Sequence, residues 1–195
     1  MTKQPSKLKN LKTSKLVLLD AHAIIHRAYH ALPDFATSQG EPTGALYGLV
    51  AMLIKIISDL KPDYIVACFD LPEPTHRHEA YGAYKAGRAK TDENLAIQLE
   101  RAKDVFSAFG IPAYSSPGFE ADDILGTIVK SLKGRTLNSN SKGSTLGSVE
   151  MVIASGDMDT LQLVEGDKVK VFTLKRGLND TILYNEKKVE ERFGF

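Results

Sequence analysis

The chain has 195 residues, 25 Lys+Arg against 24 Asp+Glu, 43% apolar residues and one cysteine. That length suits a single domain with a real hydrophobic core. A lone Cys68 excludes a disulfide framework and a Cys-based zinc cage. No uncharged stretch reaches the ~18 residues that a membrane span requires. The first 15 residues carry five lysines and no apolar h-region, so no secretory signal is read there. The expectation is a soluble cytoplasmic protein with no membrane partner.

Residues 1–14 are polar, basic and without period, and are expected to be a disordered basic arm ahead of one lobe, 15–195. Lys15–Asp20 is a short apolar run ending in an acid and predicts a buried strand. Ala45, Leu46, Leu49, Val50, Leu53, Ile56, Ile57 and Leu60 recur at helical spacing, and Pro62 stops that helix. Tyr64–Asp70 predicts a second strand ending in an acid, Glu93–Phe109 a helix, and Ile111–Tyr114 a short strand. Another helix opens near Glu120. The Gly/Ser/Asn/Thr-rich stretch between Lys133 and Val149 reads as a mobile, chemically idle surface loop. Met151–Ala154, Val169–Phe172 and Thr181–Tyr184 predict the remaining strands, and a last helix starts at Asn185. Strands alternating with helices imply an α/β fold, a mostly parallel sheet flanked by helices on both faces.

In such sheets ligands sit beyond the carboxyl ends of the strands. Asp20, Asp70 and Asp157 fall at three of those ends, Asp159 follows closely, and Glu120, Asp122 and Asp123 crowd the start of a helix. Each acid alone could be an ordinary cap or turn residue. Gathered on one edge, two carboxylates ~4 Å apart repel by about 4 kcal/mol at an effective dielectric near 20. Such a group must bind cations or take up protons. An oxygen-only ligand set favours Mg²⁺ or Mn²⁺ over Zn²⁺, and two such ions would clamp a phosphodiester.

The stretch Thr75–Arg88 mixes cations, tyrosines and glycines with little apolar periodicity. Arg77, Lys85 and Arg88 could neutralise phosphates, and Tyr84 could stack on a base; a solvated basic loop is the alternative. His76 and His78 read as surface residues rather than ligands. His22, His26 and His30 share one face if their segment is helical, and a metal site built from the three is disfavoured. Arg27 and Tyr29 lie close to the end of the first strand and are candidates for the same nucleic-acid site.

Five ordered segments carry a resemblance: Leu18–His22, Phe69-Asp70, His76–Arg88, Gly118–Asp123 and Ser155–Leu163. Together the chain resembles the 5′-nuclease domains of bacterial DNA polymerase I, in the flap-endonuclease superfamily with its PIN-like, three-layer fold. The resemblance implies metal-dependent hydrolysis of DNA at 5′ ends and 5′ flaps, in replication and repair. It implies that Asp20, Asp70, Glu120, Asp122, Asp123, Asp157 and Asp159 hold two divalent ions. It also implies that the Tyr84–Arg88 segment belongs to an arch over the 5′ strand, with Lys85 and Arg88 steering the scissile phosphate. Catalysis would then rest on Asp70, Lys85 and Arg88.

The family pattern continues past Phe195 into a Gly-Asp-x-x-Asp-Asn segment and a helix–three-turn–helix module that grips duplex DNA. Neither lies within these residues, and His76 stands where the family usually has an aromatic residue. The expectation is therefore a catalytic lobe with one tight metal site and weakened duplex binding. Two alternatives stay open. One is a catalytically weak nucleic-acid-binding or complementation subunit whose missing module comes from a separate chain. The other is a PIN-type ribonuclease. An aspartyl-nucleophile phosphatase is disfavoured because Asp20-Ala21-His22 lacks the second acid, and nucleotide-cofactor motifs are absent.

Overall fold

The computed structural model describes residues 13–87, 90–133, 138–139, 144–145, 149–176 and 180–194. In chain order these form β1 (Ser14–Asp20), α1 (Ala21–Ala31), α2 (Gly44–Leu60), β2 (Tyr64–Cys68), α3 (His76–Ala80), α4 (Glu93–Ala108), β3 (Ala113–Tyr114) and α5 (Ala121–Leu132). There follow β4 (Asn138–Ser139), β5 (Ser144–Thr145), β6 (Val149–Ala154), a 3₁₀ helix (Met158–Leu163), β7 (Val169–Arg176), β8 (Asp180–Tyr184) and α6 (Glu186–Phe193). Most of the predicted basic arm lies outside the described residues, and Ser14, expected within it, already opens β1. Of the Gly/Ser-rich loop, only β4 and β5 are described, paired antiparallel.

Six strands form one sheet in the order β3-β2-β1-β6-β7-β8. All neighbours are parallel except β7 and β8. The alternation of side chains across β1 explains the layers. Val17 and Leu19 join one core with α1, α2 and α4, while Leu16 and Leu18 join the other with α5. Met151 and Ile153 in β6 follow Leu16 and Leu18, and Val152 and Ala154 follow Val17 and Leu19. Both faces are thus covered, which is why these strands read as continuous apolar runs.

Helix ends follow local chemistry. Asp20 caps α1 by accepting the Ala23 N–H at 3.0 Å. The start of α2 takes no cap from Thr43. Instead the buried Gln98 of α4 accepts the Ala45 and Leu46 N–H groups (2.7 and 3.3 Å), tying two helices together. Lys61 ends α2 in the left-handed region (φ 48°), ahead of Pro62. Gly48 lets α1 and α2 approach, since a Cβ there would lie 2.7 Å from the Ala28 Cβ. Among the described residues, no helix is long and apolar enough to cross a membrane.

Candidate active site

The register puts the strand ends level: Asp20 of β1 stands opposite Cys68 of β2, and Leu19 opposite Ala154 of β6. The next turns therefore release Asp70 and Asp157 on the same edge. There a cavity of about 290 Å³ is lined by Asp20, Asp70, Glu120, Asp122, Asp157 and Asp159, together with His22, His26, Tyr84 and Lys85. The predicted convergence of acids from three strand ends and one helix start is what the fold produces, with Asp123 as the exception.

A string of hydrogen bonds fixes one wall. Asp20 accepts the Ser155 hydroxyl at 2.7 Å, Ser155 Oγ accepts the Asp157 N–H at 2.9 Å, and Asp157 accepts the Asp159 N–H at 2.9 Å. On the other wall, Asp70 Oδ1 accepts the Ala121 N–H at 2.7 Å, and the Asp70 N–H donates to His22 Nδ1 at 3.1 Å. Burial pushes the Asp20 carboxyl above the usual range against the pull of Ser155 and Ala23, and Asp70 and Asp157 push it further. Asp122 is raised to about 6, first by desolvation and then by Asp20, Asp157, Asp70 and Glu120. Burial lowers the His22 imidazole, against Asp70. The Cys68 thiol beneath the site is pushed up to about 12 by burial and Asp20, which makes it inert.

Much of the basic segment is exposed, but several of its side chains are tied to neighbouring groups. Thr75 begins the short helix α3, where its N–H donates to His78 Nδ1 at 3.1 Å, so the half-buried His78 is a capping residue rather than a surface one. Arg77 grips Asp123 with both terminal nitrogens (2.6 and 2.7 Å) and reaches Glu120 at 3.2 Å. The Tyr84 hydroxyl donates to Glu120 at 3.0 Å, and the Lys85 ammonium bonds the other Glu120 oxygen.

These contacts place three of the predicted site residues. Asp123, expected as a metal ligand, accepts from Arg77 and from the Glu120 N–H at 3.0 Å, and does not line the cavity. Arg77, read as a phosphate contact, is committed to those acids. Tyr84, read as a stacking residue, is turned by its hydroxyl toward Glu120. Arg77 holds Asp123 below the usual carboxylate range; Lys85, Tyr84 and Arg77 do the same for Glu120 against its burial.

Other candidates lie elsewhere. Tyr29 donates to Asp92 at 2.9 Å beside a separate cavity of about 130 Å³. Arg27 packs beside the turn at Gly156 and is not in the acid cavity's lining. Arg88 lies outside the described residues. Sequence reasoning weighed His22 and His26 only as members of a disfavoured histidine metal site, and it gave Ser155 no role of its own. The only signals were the i, i+4 spacing of the two histidines behind the Asp20 cap and the small polar residue ahead of Gly156-Asp157.

Among the described residues, no three His, Cys, Asp or Glu side chains already form a group that could hold a metal ion. The donor chemistry nonetheless fits a hard divalent cation: carboxylate oxygens face a space large enough for solvated ions, and desolvation together with the neighbouring acids raises Asp20 and Asp122.

Residues 15–194 match the family described as 5′-3′ exonuclease, N-terminal resolvase-like domain. Among curated proteins, the chain is 35% identical over 181 residues to DNA polymerase I of Caldicellulosiruptor bescii and 37% identical over 182 residues to that of Chloroflexus aurantiacus. The alignments cover 92% and 91% of this chain but 20% and 18% of those proteins, so it spans about a fifth of their length. Among solved structures it is similar to bacteriophage T5 5′-exonuclease with bound zinc (TM-score 0.62, 20% identity, 92% of this chain and 61% of that one). It is equally similar to the T5 flap endonuclease in a pseudo-enzyme–product complex with DNA and metal ions (TM-score 0.62, 19% identity, 92% and 61%). That likeness shows the fold, the PIN-like arrangement.

Proposed function

The chain belongs to the family of 5′-3′ exonuclease N-terminal, resolvase-like domains, a nuclease family, and from that premise we propose that it hydrolyses DNA phosphodiesters at 5′ ends and 5′ flaps with the help of divalent cations. The observation that carries the reading is the delivery of six carboxylates, from four separate stretches of chain, to one cavity beyond the carboxyl ends of a parallel sheet. The metal ions and DNA bound by the T5 relatives support it. Asp20, Asp70, Asp122, Asp157 and Asp159 would hold Mg²⁺ or Mn²⁺. With Asp123 occupied by Arg77 and Glu120 by Lys85, the arrangement favours one tightly held ion. A divalent ion held there would supply charge neutralisation for a phosphodiester and would lower the pKa of a bound water.

The remaining roles fall to the chain's own side chains. Lys85 and Tyr84 stand on the cavity wall and would exchange Glu120 for a phosphate oxygen. Arg88 would add a second cation from the same segment. Arg77 would keep that segment docked on α5. A neighbouring cavity, about 270 Å³, shares Asp70, Lys85 and Glu120 with the first, and a DNA strand would pass beside them there. Duplex binding beyond this lobe, or a partner chain that supplies it, belongs to the same proposal.

The test is cleavage of a labelled 5′-flap duplex in low salt with Mg²⁺ or Mn²⁺, with Asp70→Ala and a chelator as controls. We expect cleavage, lost by at least about 100-fold in Asp70→Ala and abolished by chelation. Well-folded protein that cleaves nothing, or cleavage indifferent to Asp70→Ala, overturns the reading.

A further inference from the structure

The carboxylates do not account for every polar group in the cavity wall. His22 also lines it, in the first turn of α1 and two residues past Asp20. The ladder between β1 and β2 stops at Asp20 and Cys68. Beyond it Phe69 still donates its N–H to Tyr114 O at 2.8 Å, but the Asp70 N–H has left the sheet, and its acceptor is His22 Nδ1 at 3.1 Å. The imidazole thus stands where the next strand residue's carbonyl would have been.

The ring itself is held. It meets Phe69 edge-on with centroids 5.7 Å apart, and Phe69 meets the buried Phe106 in the same manner at 5.3 Å. A ring nitrogen that accepts an N–H carries no proton of its own, so in the neutral ring the proton resides on Nε2. The Asp70 Oδ2, 3.6 Å from the same Nδ1, is then a neighbour rather than a bonded partner. Asp70 is consequently pinned from two sides: its backbone by α1 through His22, and its carboxylate by α5 through the Ala121 N–H.

We propose that His22 is a positioning residue for Asp70, its Nδ1 lone pair fixing through the Asp70 N–H where that carboxylate stands in the cavity. The inference deepens the nuclease reading, and its metal-binding consequence rests on that reading; the hydrogen bond itself does not.

Two near-isosteric variants separate the ring's nitrogens. His22→Asn sets an amide oxygen near the place of Nδ1 and keeps an acceptor. His22→Gln sets its amide near the place of Nε2 and leaves the Asp70 N–H without a partner. His22→Ala removes both. In Mn²⁺ calorimetry, His22→Ala and His22→Gln should bind at least about 10-fold more weakly, as when the support of a metal ligand is lost, while His22→Asn stays within about threefold of the parent. A general packing role would not prefer Asn over the longer Gln. His22→Asn as weak as His22→Ala, or all three equal to the parent, overturns the proposal. Nitrogen NMR of the metal-free protein gives a second readout: Nδ1 unprotonated and Nε2 protonated is expected, and the opposite tautomer overturns the proposal. If the parent and Asp70→Ala bind Mn²⁺ alike, the metal assignment of Asp70 fails, while the tautomer still decides the role of His22. Should His22→Ala fail to fold, the Asn and Gln pair still decides.

Discussion

Asp122 titrates near 6 in the folded chain against an ordinary value of 3.8, because its carboxyl is desolvated among Asp20, Asp157, Asp70 and Glu120. A folded-state pKa above the unfolded one means that the native protein binds the proton more tightly. The resulting destabilisation is absent below about pH 4, grows as pH rises, and is complete above about pH 6. Glu120 and Asp123, held low by Lys85 and Arg77, run the other way and lose stabilisation in acid. A difference measurement isolates Asp122. In chelator, Asp122→Asn should exceed the parent in urea stability by about 1 kcal/mol at pH 7, allowing for solvent screening of a carboxyl that is desolvated only in part while the rest of the residue is exposed. That advantage should shrink toward pH 4.5. A pH-independent difference would place the charge conflict elsewhere. At this scale the acids were legible, since each follows an apolar strand or opens a helix. The pairing of Arg77 with Asp123, across 46 positions, has no local signature. Nor does the bond from the Asp70 N–H to His22, across 48.

The packing of α1 on α2 depends on Gly48. A methyl group there would meet the Ala28 Cβ at 2.7 Å and Leu32 Cδ1 at 3.0 Å, and the first has no rotamer by which to retreat. Gly48→Ala gains about 1 kcal/mol of helix propensity, but the overpacking should outweigh it and leave a net loss of about 1–3 kcal/mol in urea unfolding. A stabilised variant would show that the two helices can part without cost. The elements best anticipated were the buried ones. Predicted and observed bounds of α2 and α4 differ by one residue, because their apolar positions face a core over several turns. Helix α1 was left conditional although Ala21, Ile24, Ile25 and Ala28 are its buried positions at helical spacing; three histidines and a tyrosine dilute that stripe. Helix α3 has no buried residue at all, so no periodicity could announce it. Strand β7 runs on to Arg176, four residues past the predicted Phe172, carried by its antiparallel pairing with β8 rather than by its own apolar run.

Seen whole, the molecule is a sheet whose central strand, β1, is paired on one side with β2 and on the other with β6. The second pairing joins Ser14 to Val149, and the bond from Ser155 to Asp20 beside it spans 135 positions. Closing so long a loop is slow, and non-local parallel pairing is among the later rewards of folding. Asp20 and Asp157 therefore become neighbours only once that closure has happened, so their repulsion belongs to the native basin more than to the barrier before it. A divalent ion that relieves the repulsion should then act on one limb of the chevron. Stopped-flow urea experiments should show Mn²⁺ slowing unfolding and leaving refolding unchanged. Refolding hastened by the ion would mean that the acid-bearing edge is already assembled at the transition state, and that the chain meets its electrostatic conflict before its core is complete.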